Sequence, residues 1–150
     1  MKKIILMVLF VTMLSHAGFT RANDVVTDDV TKLQWDDKDY ENDTNEPPSK
    51  LATSLQDAID FCENLDLDSH GDWKLPNVNE LKTIIDIEQD STKIYSTFVN
   101  KASFYYWTST TNIEDTTQVF LVGFSNGSIN SAGKLSDDYN VRCVRVDDSD

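Results

Sequence analysis

Ser54-Leu55-Gln56-Asp57-Ala58-Ile59-Asp60-Phe61-Cys62-Glu63-Asn64-Leu65 is the stretch on which the fold turns, because the apolar period changes here. Leu55, Ala58, Ile59, Cys62 and Leu65 recur every three or four residues, which aligns them along one face of a helix. Ser54, with Asp57 three positions on, has the form of a capping box and sets the expected start. The inward face of this helix carries a cysteine.

Working outward toward the C-terminus, Pro76-Asn77-Val78-Asn79-Glu80-Leu81 gives a second start signal. Asn77 can cap, Glu80 occupies the capping-box position, and Val78, Leu81, Ile84 and Ile85 form the expected buried face. Pro76 keeps Leu75 extended. Beyond Asp86 the pattern turns to strands: an aromatic and Thr-rich run over 104–110, then a β-prone run over 118–124. Asn126-Gly127 predicts a type I′ hairpin, since both central residues of that turn need positive φ. The final run, 139–146, reads as one strand with Val141 and Cys143 inward and Asn140 and Arg142 on the other side.

Toward the N-terminus, residues 36–50 are polar and contain Pro47-Pro48, so they read as a loop, while 25–35 reads as two short strands around a turn. Strands at both ends with two helices between them describe an α+β domain whose termini lie side by side. Lys2 and Lys3, then the apolar run of residues 4–14, then small residues, have the order of a secretory signal. The junction falls after Ala17 or after Ala22. The organisation is therefore read as a removed signal over 1–22 and one domain over 23–150, periplasmic or secreted. The apolar run is shorter than the roughly 20 residues that span a bilayer, and no later run is longer, so no membrane span is expected after cleavage.

The chain carries 13 Lys and Arg against 26 Asp and Glu, a net charge of −13. Cleavage after Ala22 removes three cations and no anion, taking it to −16. Such a surface repels nucleic acid, anionic lipid and sulfated polysaccharide. Cys62 and Cys143 are the only cysteines, and an even pair in an oxidising compartment reads as a disulfide, the alternative being two buried free thiols.

Several short motifs now coincide: Val26-Thr27-Asp28 with Leu33-Gln34-Trp35, Phe61-Cys62, Asp72-Trp73-Lys74-Leu75-Pro76-Asn77, Tyr106-Trp107-Thr108-Ser109-Thr110, Phe124-Ser125-Asn126-Gly127 and Val141-Arg142-Cys143-Val144-Arg145. In this order they resemble the Lcl C-terminal domain family, named for the end domain of a bacterial collagen-like adhesin. The resemblance implies an exported bacterial protein of C-type lectin-like fold, with a small antiparallel sheet and a disulfide between first helix and last strand. It also implies a ligand face between scaffold positions, comprising Asn112, Glu114, Asp115, Asn126, Ser128, Asn130, Asp137, Asp138 and Tyr139.

Catalytic chemistry has little to work with. Once the signal is gone only His70 remains, beside Gly71 in a turn, and the cysteines are committed if they pair. No catalytic residue and no metal ligand is assigned, and no cofactor is expected. Calcium is the ion the acidic composition could accommodate, at residues 36–43 or in the Asp66–Asp72 stretch, but the latter lacks the EF-hand glutamate at its twelfth position. Trp35, Trp73, Trp107, Tyr105 and Tyr106 sit in scaffold motifs and are expected in the core. Tyr40 and Tyr139, in polar surroundings, are the expected stacking residues. The leading expectation is a non-enzymatic domain that recognises a glycan or protein ligand, adhesion-like, at the cell envelope. The alternatives are a structural or regulatory periplasmic subunit without a small ligand, or a hydrolase using paired carboxylates.

Overall fold

Nine strands and two helices order the described residues, 18–40, 51–135 and 138–148, of the computed structural model. In chain order these are β1 (Phe19–Ala22), β2 (Val25–Asp28), β3 (Leu33–Asp36), β4 (Leu51–Ala52), α1 (Leu55–Glu63), α2 (Val78–Lys82), β5 (Tyr105–Thr111), β6 (Gln118–Gly123), β7 (Ser128–Gly133), β8 (Tyr139–Asn140) and β9 (Val144–Val146). They form an α+β domain with two sheets. One has the antiparallel order β1-β2-β3-β9, and the other the order β4-β8-β5-β6-β7 with β5 and β8 parallel. The β3–β9 pairing sets Leu33 opposite Val146, so the first and last parts of the domain meet in one sheet.

Both helix starts follow local chemistry. Ser54 caps α1 by accepting from the Asp57 amide at 3.1 Å, and Ala58 and Cys62 are buried along its inner face. Asn77 caps α2 through a complete capping box with Glu80. Thr110 Oγ1 also accepts from the Val78 amide at 2.9 Å, which satisfies another donor that a helix start leaves open. The helix is short: α2 ends at Lys82, and Ile84 reaches the core from beyond it.

The central strands are covered on both faces, so successive residues enter different cores. Trp107, Val119 and Leu121 pack with Ala58, Cys62 and Trp73. Their neighbours Tyr106 and Val122, with Phe124, pack with Trp35, Leu81 and Ile94. This is why the Tyr105–Thr111 run carries adjacent aromatics instead of an apolar–polar alternation. Cys62 and Cys143 form a disulfide, with Cα atoms 5.4 Å apart and neither residue exposed.

Two expectations are corrected. The final run is two strands in different sheets, because residues 141–143 leave the ladder to bury Arg142. The β6–β7 connection is a four-residue loop, since Gly123 pairs with Ser128 and Phe124 is drawn into the core. Only Gly127 has positive φ there, at 73°, so the turn is not type I′. Phe19–Ala22, which lies between the two junctions read from the sequence, is strand β1 and pairs with β2 along its full length. Residues 1–17 and 41–50 and Asp137 lie outside the described residues.

Candidate functional site

Asp37 organises one wall of the site. Its carboxylate, fully buried at the end of β3, accepts Arg21 Nε at 2.9 Å and Arg142 NH1 at 3.1 Å. It also accepts the backbone amides of Val99 at 2.9 Å and Asn100 at 3.1 Å. Arg142 donates further to the carbonyls of Asp36 and Asn100, and its guanidinium lies 4.9 Å from the Phe98 ring centre. Burial works against the Arg142 charge, and Tyr106, Asp37 and Asp36 outweigh it, so its pKa stands above the ordinary arginine value. Among the described residues Arg142 Nε is left without a partner, and a buried ion pair is by itself weak evidence for stability. Here it fixes residues 98–100 against the end of β3.

Beside that wall runs a groove of about 660 Å³. It is lined by Val99, Asn100 and Ala102, by Tyr105 on β5, and by Tyr139 and Asn140 on β8. Lys38 to Tyr40, Leu51, Lys101, Tyr106, Asp138 and an exposed Phe104 complete the lining. The Ala102 amide donates to Tyr106 Oη at 2.9 Å, which ties the 99–102 segment to β5. Tyr139 meets Trp107 edge-on at 5.0 Å and Tyr105 at 6.2 Å between ring centres. Gly123 makes the aromatic cluster fit, because a Cβ there would come within 2.7 Å of the Tyr105 ring.

Of the nine expected ligand residues, the eight described ones lie in separate places. Asp138 and Tyr139 line the groove. Asn130, on β7, donates to Tyr105 Oη and so touches the groove through that tyrosine. Asn126 and Ser128 lie at the β6–β7 connection, where Asn126 Oδ1 accepts the Ser128 amide at 3.0 Å. Asn112, Glu114 and Asp115 sit in the β5–β6 connection, at the opposite end of β6. Asp115 is occupied there: hydrogen bonds from the Thr117 hydroxyl and amide hold its carboxyl below the ordinary value, with Gln118 adding another. Asp137 lies outside the described residues.

Two aromatic expectations change. Tyr40 is buried, packed edge-on against Phe61 at 5.2 Å, because the chain turns inward after Asp37 toward α1. Tyr105 is half-buried and lines the groove, whereas Trp35, Trp73, Trp107 and Tyr106 are in the core as expected. Sequence reasoning missed Phe104, Leu51 and the 99–102 wall. A large apolar residue preceding a β-run looks like the start of that run, and nothing local marks it as part of a groove.

Part of each acidic stretch is engaged in structure, and residues 41–43 lie outside the described residues. Asp36 and Asp37 are buried. In the Asp66–Asp72 stretch, Trp73 Nε1 donates to the carbonyls of Leu67 and His70 at 3.3 and 3.0 Å, closing a tight turn. Asp72 pairs with Arg145 at 2.7 Å. Among the described residues no group of three or more His, Cys, Asp or Glu side chains converges as a metal site. Among them also, no helix is long and apolar enough to cross a membrane.

Comparison with curated proteins returns no match. The family model described as the Lcl C-terminal domain matches residues 24–145, a span running from the first residues before β2 to the middle of β9. That span takes in both helices, the disulfide and every described wall of the groove, and on it the chain belongs to the Lcl C-terminal domain family.

Proposed function

We propose that this chain is an exported, non-enzymatic binding domain of C-type lectin-like fold, acting in the periplasm or outside the cell, and that its groove takes a glycan or protein ligand. The observation that carries the reading is the groove itself. Its volume of about 660 Å³ lies within the range of ligand sites, and its lining combines apolar and aromatic side chains with the amides of Asn100 and Asn140 and the charges of Lys38, Asp39, Lys101 and Asp138. The fold assignment is supported by family membership, by two helices against mixed sheets, and by the disulfide from α1 to the segment between β8 and β9. Export is supported by the signal-like order of Lys2, Lys3 and the apolar residues after them. The absence of enzymatic activity is supported by the chemistry at hand, since both cysteines are bonded to each other and His70 sits in a turn.

The test is a glycan array and a defined panel of envelope and host-surface proteins, probed with native protein and with Tyr139→Ser. Saturable binding that the variant loses while keeping its melting temperature supports the reading. Binding unaffected by the substitution, or none to either panel, counts against it.

A further inference from the structure

Asn126-Gly127 is the one asparagine–glycine pair in the chain, and Asn126 is exposed in the loop that joins β6 to β7. An asparagine amide is lost spontaneously when the following backbone nitrogen attacks its Cγ, closes a five-membered succinimide and expels ammonia. Three features set the rate: access for the nitrogen, polarisation of the amide carbonyl and freedom of the leaving amine. Gly127 has no Cβ to crowd the ring closure, whereas every other asparagine in the chain precedes a residue that has one. The Ser128 amide donates to Asn126 Oδ1 at 3.0 Å, so a donor already points at the oxygen that gains negative charge as Cγ becomes tetrahedral. Among the described residues nothing accepts a hydrogen bond from Asn126 Nδ2, so the leaving amine is held only by its own bond to Cγ. One contact opposes the reaction. The Gly127 N–H donates to the Gly123 carbonyl at 2.9 Å and must be released before its nitrogen attacks. A single backbone hydrogen bond of ordinary net strength slows that step by up to about tenfold, which is too little to abolish it.

We propose that Asn126 is a deamidation site of the folded protein and reacts before its other asparagines. In the first step the bond from the Gly127 nitrogen to Cγ forms, the Cγ–Nδ2 bond breaks, and the proton of the Gly127 nitrogen leaves with ammonia. Water then opens the ring. Addition at Cγ gives an aspartyl residue, and addition at the backbone carbonyl gives an isoaspartyl residue, in which the chain runs through the former side chain. By either route water is consumed, ammonia is released, and a chain of net charge −13 gains one more negative charge. The two products act differently on the turn. Aspartyl keeps a side-chain oxygen where the Ser128 amide donates, whereas isoaspartyl puts that group into the peptide link and lengthens the backbone by one atom. The added atom falls between Gly123 and Ser128, the pair that closes the loop beside the Tyr105 ring.

The experiment holds native protein at neutral pH and physiological temperature beside a sample unfolded in guanidinium chloride. Peptide mass spectrometry over a time course records the conversion of each asparagine amide to an acid, and an isoaspartyl methyltransferase labels the isoaspartyl product. Asn126 is expected to convert first in both samples, with a native rate at most about tenfold below the unfolded one. Another asparagine converting first in native protein overturns the proposal, as does Asn126 remaining intact there once the unfolded sample has converted fully. Melting temperatures then test the effect on the turn. Asn126→Asp should melt with native protein, and the isolated isoaspartyl fraction should melt lower. A variant that melts as low as the isoaspartyl fraction, or an isoaspartyl fraction that melts with native protein, overturns the role given to the Ser128 hydrogen bond and the added atom.

Discussion

One carboxylate, Asp37, holds three parts of the chain that are far apart in sequence: β1 through Arg21, the 99–100 backbone, and Arg142. Removing it leaves the Arg142 guanidinium buried without its counter-charge and two amides without acceptors. Asp37→Ala is expected to cost about 3–5 kcal/mol, the usual penalty for breaking a buried pair from one side. Urea denaturation measures it, and a loss under about 1 kcal/mol would mean that water replaces the carboxylate. Arg145 makes a more exposed arrangement with Asp72 and Asp148. Its hydrogen bond lowers the Asp72 carboxyl below the ordinary 3.8. A carboxyl lowered on folding stabilises the fold above its unfolded pKa, and that contribution is lost as pH falls through the folded value. Asp72→Asn should therefore lower the denaturation midpoint at neutral pH, with the gap to native protein closing as pH falls below the ordinary 3.8 and on through the lowered folded value. A gap independent of pH would show that the hydrogen bond, not the charge, is what matters. At this scale the sequence was partly legible. Exposed Asp138 and half-buried Tyr139 both line the groove, Tyr139 packing on the core behind it, but Tyr40 stands among acidic residues in sequence and among apolar ones in space.

Elements whose signals are local were readable, and those that depend on distant partners were not. The caps of α1 and α2 lie within three residues of the starts they define, so Ser54 and Asn77 announced both helices. The break between β8 and β9 has no local sign, because Arg142 leaves the ladder for Asp37, a residue 105 positions away. The disulfide couples these levels by joining α1 to the middle of that break. Alkylation of native exported protein should detect no free thiol before reduction. Cys143→Ser should cost about 4–5 kcal/mol in the chain-entropy account of so long a loop. Recovery of two alkylated thiols without reductant would reject the bond. Strand β1 bears on processing in the same way. Phe19 packs against Tyr95 at 4.5 Å and Phe98 at 5.8 Å, and Arg21 reaches Asp37. Cleavage after Ala22 would discard all of this, and cleavage after Ala17 would keep it. N-terminal sequencing of the exported protein is expected to begin at Gly18, and a start at Asn23 would show that the sheet is complete without β1.

At the scale of the whole molecule, charge separates this protein from the polyanion binding that its family's adhesin namesake suggests. Sulfated glycosaminoglycans are held by clustered lysine and arginine, with arginine favoured because its fork matches an oxyanion. The chain has three arginines, and each is already committed to a carboxylate: Arg21 and Arg142 to Asp37, Arg145 to Asp72 and Asp148. Two of them, Arg142 and Arg145, are also buried. Lys74 is paired with Glu80 at 2.7 Å. Lys38 and Lys101 share the groove lining with Asp39 and Asp138. Beyond about 8 Å at physiological ionic strength, individual charges are screened, so an approaching sulfate chain responds to local clusters and not to isolated lysines. No described surface offers such a cluster, and the 26 acidic residues supply the opposite field. Native protein should therefore pass a heparin column unretained at about 0.15 M salt, and lowering the salt should lengthen the range of repulsion instead of creating binding. Retention that weakens as salt is raised would overturn this, and Lys38→Ala with Lys101→Ala would then show whether the groove's two lysines are responsible.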